Sequence, residues 1–199
     1  PINGKPLLGH IVEHIRKHAV DRFIVAVGYK ADKIKGYFER DLGLAAEFVD
    51  SGDADIIRRL QDCGSLIQGD FLVLYGDTLS DVDLDGLVSF HRSRPEKVTV
   101  TVWPLQSQFG LLEVARDGKV VSFKEKPVLD RWINIGYFYF AHEALSWMRG
   151  FERFEDFLVH LVDRGQINAY RHKGVHITVN TIKELEEAEE NIGRFGKLK

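Results

Sequence analysis

The sequence predicts a single α/β domain with a mixed, mainly parallel central sheet, and three observations carry that expectation. Short β-branched or aromatic runs alternate with amphipathic segments of helical period along almost the whole chain. Several of those runs stop at glycine or aspartate, as at Gly28 and Gly76-Asp77. The chain has 199 residues, 44 % of them hydrophobic, which is enough to bury a sizeable core. No internal repeat and no Pro-, Gly- or Ser-rich linker divides it.

The elements follow in order. Leu7, Leu8, Ile11, Val12 and Ile15 recur at helical spacing and predict a helix over 7–18. His10, His14 and His18 stand four apart on it; with no Cys or carboxylate completing a set, they read as partly exposed helix side chains, not a metal stripe. Residues 22–27 and 45–49 read as strands around a helix at 31–41, and a helix at 53–66 leads to 70–75, the most strand-like run. A helix opened by aspartates spans 81–93, followed by a strand at 98–105. Asp117-Gly118 marks a hairpin between 110–114 and 119–124. A strand at 135–140, helices at 142–149 and 154–164, and strand pieces at 166–171 and 175–179 come next. Thr181 and Glu184 form a capping-box pattern at the start of a closing helix, 181–192. Phe90, Phe151, Phe154 and Phe157 read as packing aromatics.

Charge and cysteine content narrow the partners. Lys and Arg number 27 against 30 Asp and Glu, a net charge of −3, so nothing recommends nucleic acid or an anionic membrane. Cys63 is alone, which rules out an internal disulfide and a cysteine zinc cluster and fits a reducing compartment. No apolar run approaches the ~20 residues of a membrane span and no signal peptide is seen, so a cytoplasmic location is expected. The chain opens on Pro1 instead of Met, and a segment upstream is expected.

Three segments could carry chemistry. Gly76-Asp77 closes a strand, where ligands of α/β sheets bind and where a carboxylate can hold a divalent cation, although the same pair also makes ordinary turns. Asp81, Asp83 and Asp85 read as a solvated helix start before a D-x-D metal element. Glu125-Lys126-Pro127 follows the hairpin: Lys could neutralise a phosphate and Glu could accept sugar hydroxyls, or the two form a surface charge pair. Asn134 and Gly136 offer a donor with an acceptor, and room for close approach.

Five segments occur in one order: residues 3–8 (NGKPLL), 71–77 (FLVLYGD), 109–113 (FGLLE), 123–127 (FKEKP) and 132–138 (WINIGYF). As a set they resemble the sugar-1-phosphate nucleotidyltransferases. The glucose-1-phosphate cytidylyltransferase branch is nearest, through Ser80-Asp81-Val82-Asp83, Phe90-His91 and residues 169–174. The resemblance implies a Rossmann-like nucleotide-diphospho-sugar transferase domain over 1–199. It also implies transfer of a nucleotidyl group from an NTP to a sugar 1-phosphate with Mg²⁺, and it leaves a homo-oligomer open.

Position by position, Asp77 matches the Mg²⁺-binding aspartate. Lys126 matches the lysine on the sugar phosphate, and Glu125 the glutamate on sugar hydroxyls. Gly110 and Asn134 match the sugar pocket, Ser51-Gly52 falls where a base-recognition loop is placed, and Gly76, beside the metal aspartate, is expected to bind the nucleotide with them. Asn180 stands where many members carry a second metal-binding aspartate; its carbonyl oxygen can ligate but brings no charge. The family's G-x-G-T-R-L loop and Lys-Pro pair precede the position of Pro1, so the domain is expected to be N-terminally incomplete here and residues 1–199 alone close to inactive. Two other readings remain: a nucleotide-sugar-dependent glycosyltransferase using Asp81 and Asp83, and a non-catalytic nucleotide-sugar-binding regulatory protein.

Overall fold

The computed structural model describes residues 1–20, 22–179 and 182–195. The first half holds α1 (Leu7–Ile15), β1 (Ile24–Val27), α2 (Ala31–Gly36), β2 (Glu47–Asp50), α3 (Ile56–Cys63), β3 (Phe71–Leu74), β4 (Thr78–Ser80) and α4 (Leu84–Arg92). The second holds β5 (Val98–Gln106), β6 (Leu111–Val114), β7 (Val120–Lys124), β8 (Val128–Phe140), α5 (Ala144–Trp147), α6 (Phe154–Asp163), β9 (Ile167–Arg171), β10 (His176–Thr178) and α7 (Ile182–Asn191). Asn180 and Thr181, the latter half of the expected capping box, lie outside the described residues.

The α/β expectation holds, and the central sheet is mixed, in the order β3-β8-β5-β9. It is not mainly parallel: β8 runs antiparallel to both β3 and β5, and only β5–β9 is parallel. The reason is the connection. A helical crossover returns the chain to a parallel strand, whereas β5 and β8 are joined by the β6–β7 hairpin arm, so β8 arrives from the opposite end. Parallel pairing also joins β1 to β2, as the βαβ pattern predicts.

Strand β8 divides the core. Its Ile135, Tyr137 and Tyr139 join one buried cluster, with Ile11 of α1, Leu79 of β4, Leu87 of α4 and Ala188 of α7. The intervening Phe138 and Phe140 join a second, with Ile57 of α3, Ala144 of α5 and Phe154, Phe157 and Leu161 of α6. Alternation of side chains along a strand explains this division, and each fully buried aromatic contributes roughly 1.5–3 kcal/mol relative to exposure. Phe154 and Phe157 are therefore core residues, as expected from the sequence.

The first helix is shorter than expected, and His14 is not a surface residue. It is 5 % exposed, with Nε2 2.8 Å from the Val82 carbonyl oxygen, and burial lowers its pKa. The expected helix at 31–41 is α2 followed by a π-type turn over 37–42. Among the described residues no helix is long and apolar enough to cross a membrane.

Candidate active site

The segment Tyr75-Gly76-Asp77 leaves the end of β3 and leans on a bulge in β8. Val100 pairs with Phe138 but Val102 pairs with Asn134, so β8 carries extra residues around Gly136. Gly136 has φ +74°, and a Cβ there would fall 2.6 Å from the Tyr75 ring; both facts demand glycine. Tyr75 N–H donates to the Gly136 carbonyl (2.9 Å), and Gly136 N–H donates to Asn134 Oδ1 (2.8 Å). Burial pushes the Tyr75 phenol up to about 12, with the Asn134 side chain pulling the other way. Tyr75 is thus a neutral wall beside Asp77.

Asp77 itself is exposed, and its Oδ1 accepts from the Thr78 hydroxyl at 3.2 Å. Thr78 is buried and begins β4, whose antiparallel ladder with β10 ends at the pair Thr78–Thr178. Asp77 and Val179 consequently leave that ladder side by side. Gly76 is exposed with open space where a Cβ would lie, so nothing in the described chain requires glycine there.

Behind this corner sits a clamp that sequence reading missed. Asp81 is not a solvated helix residue: its side chain is 4 % exposed, 3.1 Å from His172 Nε2, and its Oδ1 accepts from Val175 N–H at 2.6 Å. A Cβ on Gly174 would collide with the same oxygen. Ser80 Oγ donates to the Val175 carbonyl (2.7 Å), Ser80 N–H donates to the Tyr137 hydroxyl (3.0 Å), and Trp103 Nε1 donates to the Gly174 carbonyl (3.1 Å). His176 is held neutral, its pKa lowered to about 4 by burial and by neighbouring His172.

Asp83 and Asp85 also have local work. Asp83 caps α4 by accepting from Gly86 N–H (2.9 Å), and Asp85 pairs with His18 Nδ1 (2.9 Å). His18, Asp83 and Asp85 bring ligand atoms within 4.8 Å of one another, so the histidine stripe does meet carboxylates, though at the start of α4 and not at Asp77.

On the sugar-pocket side, the structure brings Gly110 and Glu125 together. A Cβ on Gly110 would fall 2.8 Å from Glu125 Oε2 and 2.6 Å from the Phe123 ring. Lys126 is exposed with φ +43°, an unusual backbone for a non-glycine residue and more so before a proline. Its carbonyl accepts from Gln106 Nε2 (3.2 Å), and Ser107 N–H donates to the Pro127 carbonyl (2.9 Å), which ties the Glu125–Pro127 turn to the end of β5. Among the described residues no hydrogen bond or ion pair joins Glu125 or Lys126 to Asp77.

The remaining predicted residues, Ser51 and Gly52, follow β2. Ser51 N–H donates to the Val27 carbonyl (3.1 Å), and Gly52, at φ +59°, donates to Asp50 Oδ1 (3.0 Å). Gly28 must lack a side chain because the Gly52 carbonyl lies against it. Arg59 Nη2 donates to that carbonyl at 2.7 Å, while the buried Ser51 Oγ has no protein partner. Two strand ends are thereby locked together with one free hydroxyl.

Comparison with known proteins bears on the chain as a whole. The sequence profile of the nucleotidyl transferase family matches residues 1–176. A protein of Bacillus subtilis named as a probable glucose-1-phosphate cytidylyltransferase is 32 % identical, over 94 % of this chain and 84 % of its own. The glucose-1-phosphate cytidylyltransferase of Salmonella typhimurium is 28 % identical over 92 % and 82 %. Among solved structures, HddC from Yersinia pseudotuberculosis superposes with a TM-score of 0.74 at 21 % identity, covering 96 % of this chain and 88 % of that one.

Proposed function

The chain belongs to the nucleotidyl transferase family, and from that premise we propose that it transfers a nucleotidyl group from an NTP to a sugar 1-phosphate and releases pyrophosphate. The observation supporting this most is Asp77: an exposed carboxylate on a corner whose backbone is held by β8 on one side and β10 on the other. CTP and glucose 1-phosphate are the first substrates to try, since two relatives bear the name of that activity.

In this reading the sugar phosphate oxygen attacks the α-phosphorus in line, and the protein contributes position and charge, not a covalent intermediate. Lys126 holds the attacking phosphate. Glu125 accepts hydroxyls of the sugar, with Gly110 and Asn134 lining its pocket. Ser51 and Gly52 border the nucleotide. Tyr75 excludes water beside the reacting groups.

Asp77 fits Mg²⁺: it is an oxygen donor, exposed, and engaged at Oδ1 by a single hydroxyl. Magnesium commonly takes one or two carboxylates and completes its shell from substrate phosphates. When bound, it reduces repulsion between the two anionic substrates. Asn180 is the proposed second ligand. The glycosyltransferase alternative loses its metal element, because Asp81 is buried against His172 and Asp83 caps a helix. The proposed setting is the cytoplasm, where NTPs are available.

The test is product analysis with the full-length protein, each NTP and a panel of sugar 1-phosphates. Pyrophosphate release for at least one pair supports the reading. Release of a nucleoside diphosphate, or nucleotide-sugar binding without pyrophosphate, contradicts it.

A further inference from the structure

The protein has three tryptophans, and the core uses two of them. Trp103 packs against one buried cluster and Trp147 against the other, whereas Trp132 of β8 joins neither and is 39 % exposed. Sheet register fixes its surroundings. Asn134 of β8 and Arg171 of β9 both pair with Val102 of β5, and Trp132 pairs with Pro104, two residues further along β5. Paired residues share a face, as do residues two apart on one strand, so Trp132, Asn134 and Arg171 stand on the same side of the sheet. The Arg171 guanidinium lies over the Trp132 ring, 5.1 Å from its centroid. Among the described residues no hydrogen bond or ion pair draws that guanidinium elsewhere.

We propose that Trp132 is the platform on which the sugar ring of the substrate stacks, with Arg171 as the positioning residue that holds the indole from behind; this rests on the reading that the substrate is a sugar 1-phosphate. Place comes first. Trp132 stands about 7 Å from Asn134 along one face of β8. Towards its other side, Gln106, two residues beyond Pro104 on β5, donates to the Lys126 carbonyl at 3.2 Å and so brings the Glu125–Pro127 turn close. The exposed indole therefore lies between the two halves of the proposed sugar pocket. Chemistry comes second. A pyranose carries its hydroxyls around the rim and presents C–H bonds on its faces, and the electron-rich face of an indole receives such bonds while both surfaces leave water. Ligand sites of this kind combine an aromatic wall with a few placed polar groups, here Asn134 and Glu125. A guanidinium stacked on one indole face fixes the ring's angle and leaves the opposite face to the sugar.

Acrylamide quenching of tryptophan fluorescence in the full-length protein tests this without reference to turnover. Glucose 1-phosphate is the probe, alone and with CTP in metal-free buffer, and inorganic phosphate is the control. The expected result is protection by glucose 1-phosphate and not by phosphate, lost in Trp132→Phe and kept in Trp147→Phe, with circular dichroism showing every chain folded. No protection, equal protection by phosphate, or protection that survives Trp132→Phe overturns the proposal. Kinetics supplies the second arm: Trp132→Ala is expected to raise the sugar 1-phosphate KM at least tenfold with the NTP KM within about twofold of wild type, Trp132→Phe to recover most of the loss, and Arg171→Ala to fall between. Pyrophosphate release with both KM values unmoved by Trp132→Ala overturns the platform alone. Protection of Trp132 with no pyrophosphate release from any substrate pair supports the platform and overturns the catalytic reading.

Discussion

Around β4 and β10, side chains from distant parts of the chain converge on one corner: Asp81 meets His172 and Val175, Ser80 meets Tyr137 and Val175, and Trp103 meets Gly174. The β6–β7 arm has none of this support and meets water on both faces, with Glu125 and Lys126 exposed at its exit. On the proposed reading the difference separates two tasks. A carboxylate that must hold charge in one place gains from a backbone that cannot shift. A lysine and glutamate that must close on an incoming sugar phosphate sit better on a segment held by a few backbone bonds.

The largest expected effect comes from breaking the corner. Asp81→Ala strands His172 and the Val175 N–H in a buried place, and should cost about 3–5 kcal/mol of stability, read as a lowered urea midpoint at unchanged slope. If Asp81→Ala unfolds like wild type, the clamp is ornamental and the contrast fails.

A smaller effect is expected on the arm side. Lys126→Ala removes the proposed charge-assisted contact with the sugar phosphate, worth about 1.5–3 kcal/mol, roughly tenfold to over a hundredfold in rate. Steady-state kinetics should place the loss in sugar-phosphate KM or kcat/KM, with nucleotide binding and thermal stability nearly unchanged. Equal weakening for both substrates would move Lys126 out of the sugar site.

The smallest effect sharpens the comparison through pH. His176 is half-buried at the corner and its pKa falls from 6.5 to about 4. Between those values the folded chain binds fewer protons there than the unfolded chain, so stability is fully present above pH 6.5 and declines as pH falls toward 4. His14 and His91, also lowered by burial, act in the same direction. Urea midpoints at pH 7 and pH 5 should show this decline, and His176→Gln should make it smaller, leaving the share of His14 and His91.

Much of this was legible beforehand, and the failures have physical causes. Alternating strands and helices revealed the α/β class, and Asp117-Gly118 revealed the hairpin, because both are local signals. The direction of β8 was hidden, since it depends on the arm's path and not on any residue pattern. Its true extent was also hidden: Asn134 and Gly136 look like turn residues, but here they build a bulge inside a 13-residue strand. The Asp81-Asp83-Asp85 alternation was visible, yet nothing local distinguishes a solvated aspartate from one buried against His172, which lies near the other end of the chain. Of the proposed site, the residues at 77, 110, 125 and 126 could be nominated because they stand in an ordered set of segments, and the structure brings Gly110 and Glu125 together. Tyr75 stands in that set without an assigned role, and its packing beside Asp77 is visible only once Gly136 is placed beneath its ring.

The central claim is that Asp77, held by this corner, anchors the metal of a nucleotidyl transfer. Magnesium titration of pyrophosphate release by the full-length wild-type protein and Asp77→Asn, at saturating NTP and sugar 1-phosphate, tests it most directly. The account predicts a wild-type rate that rises to saturation with Mg²⁺ and an Asp77→Asn rate at least ~100-fold lower, with the folded state intact. An Asp77→Asn protein that keeps its rate and its magnesium dependence would contradict it.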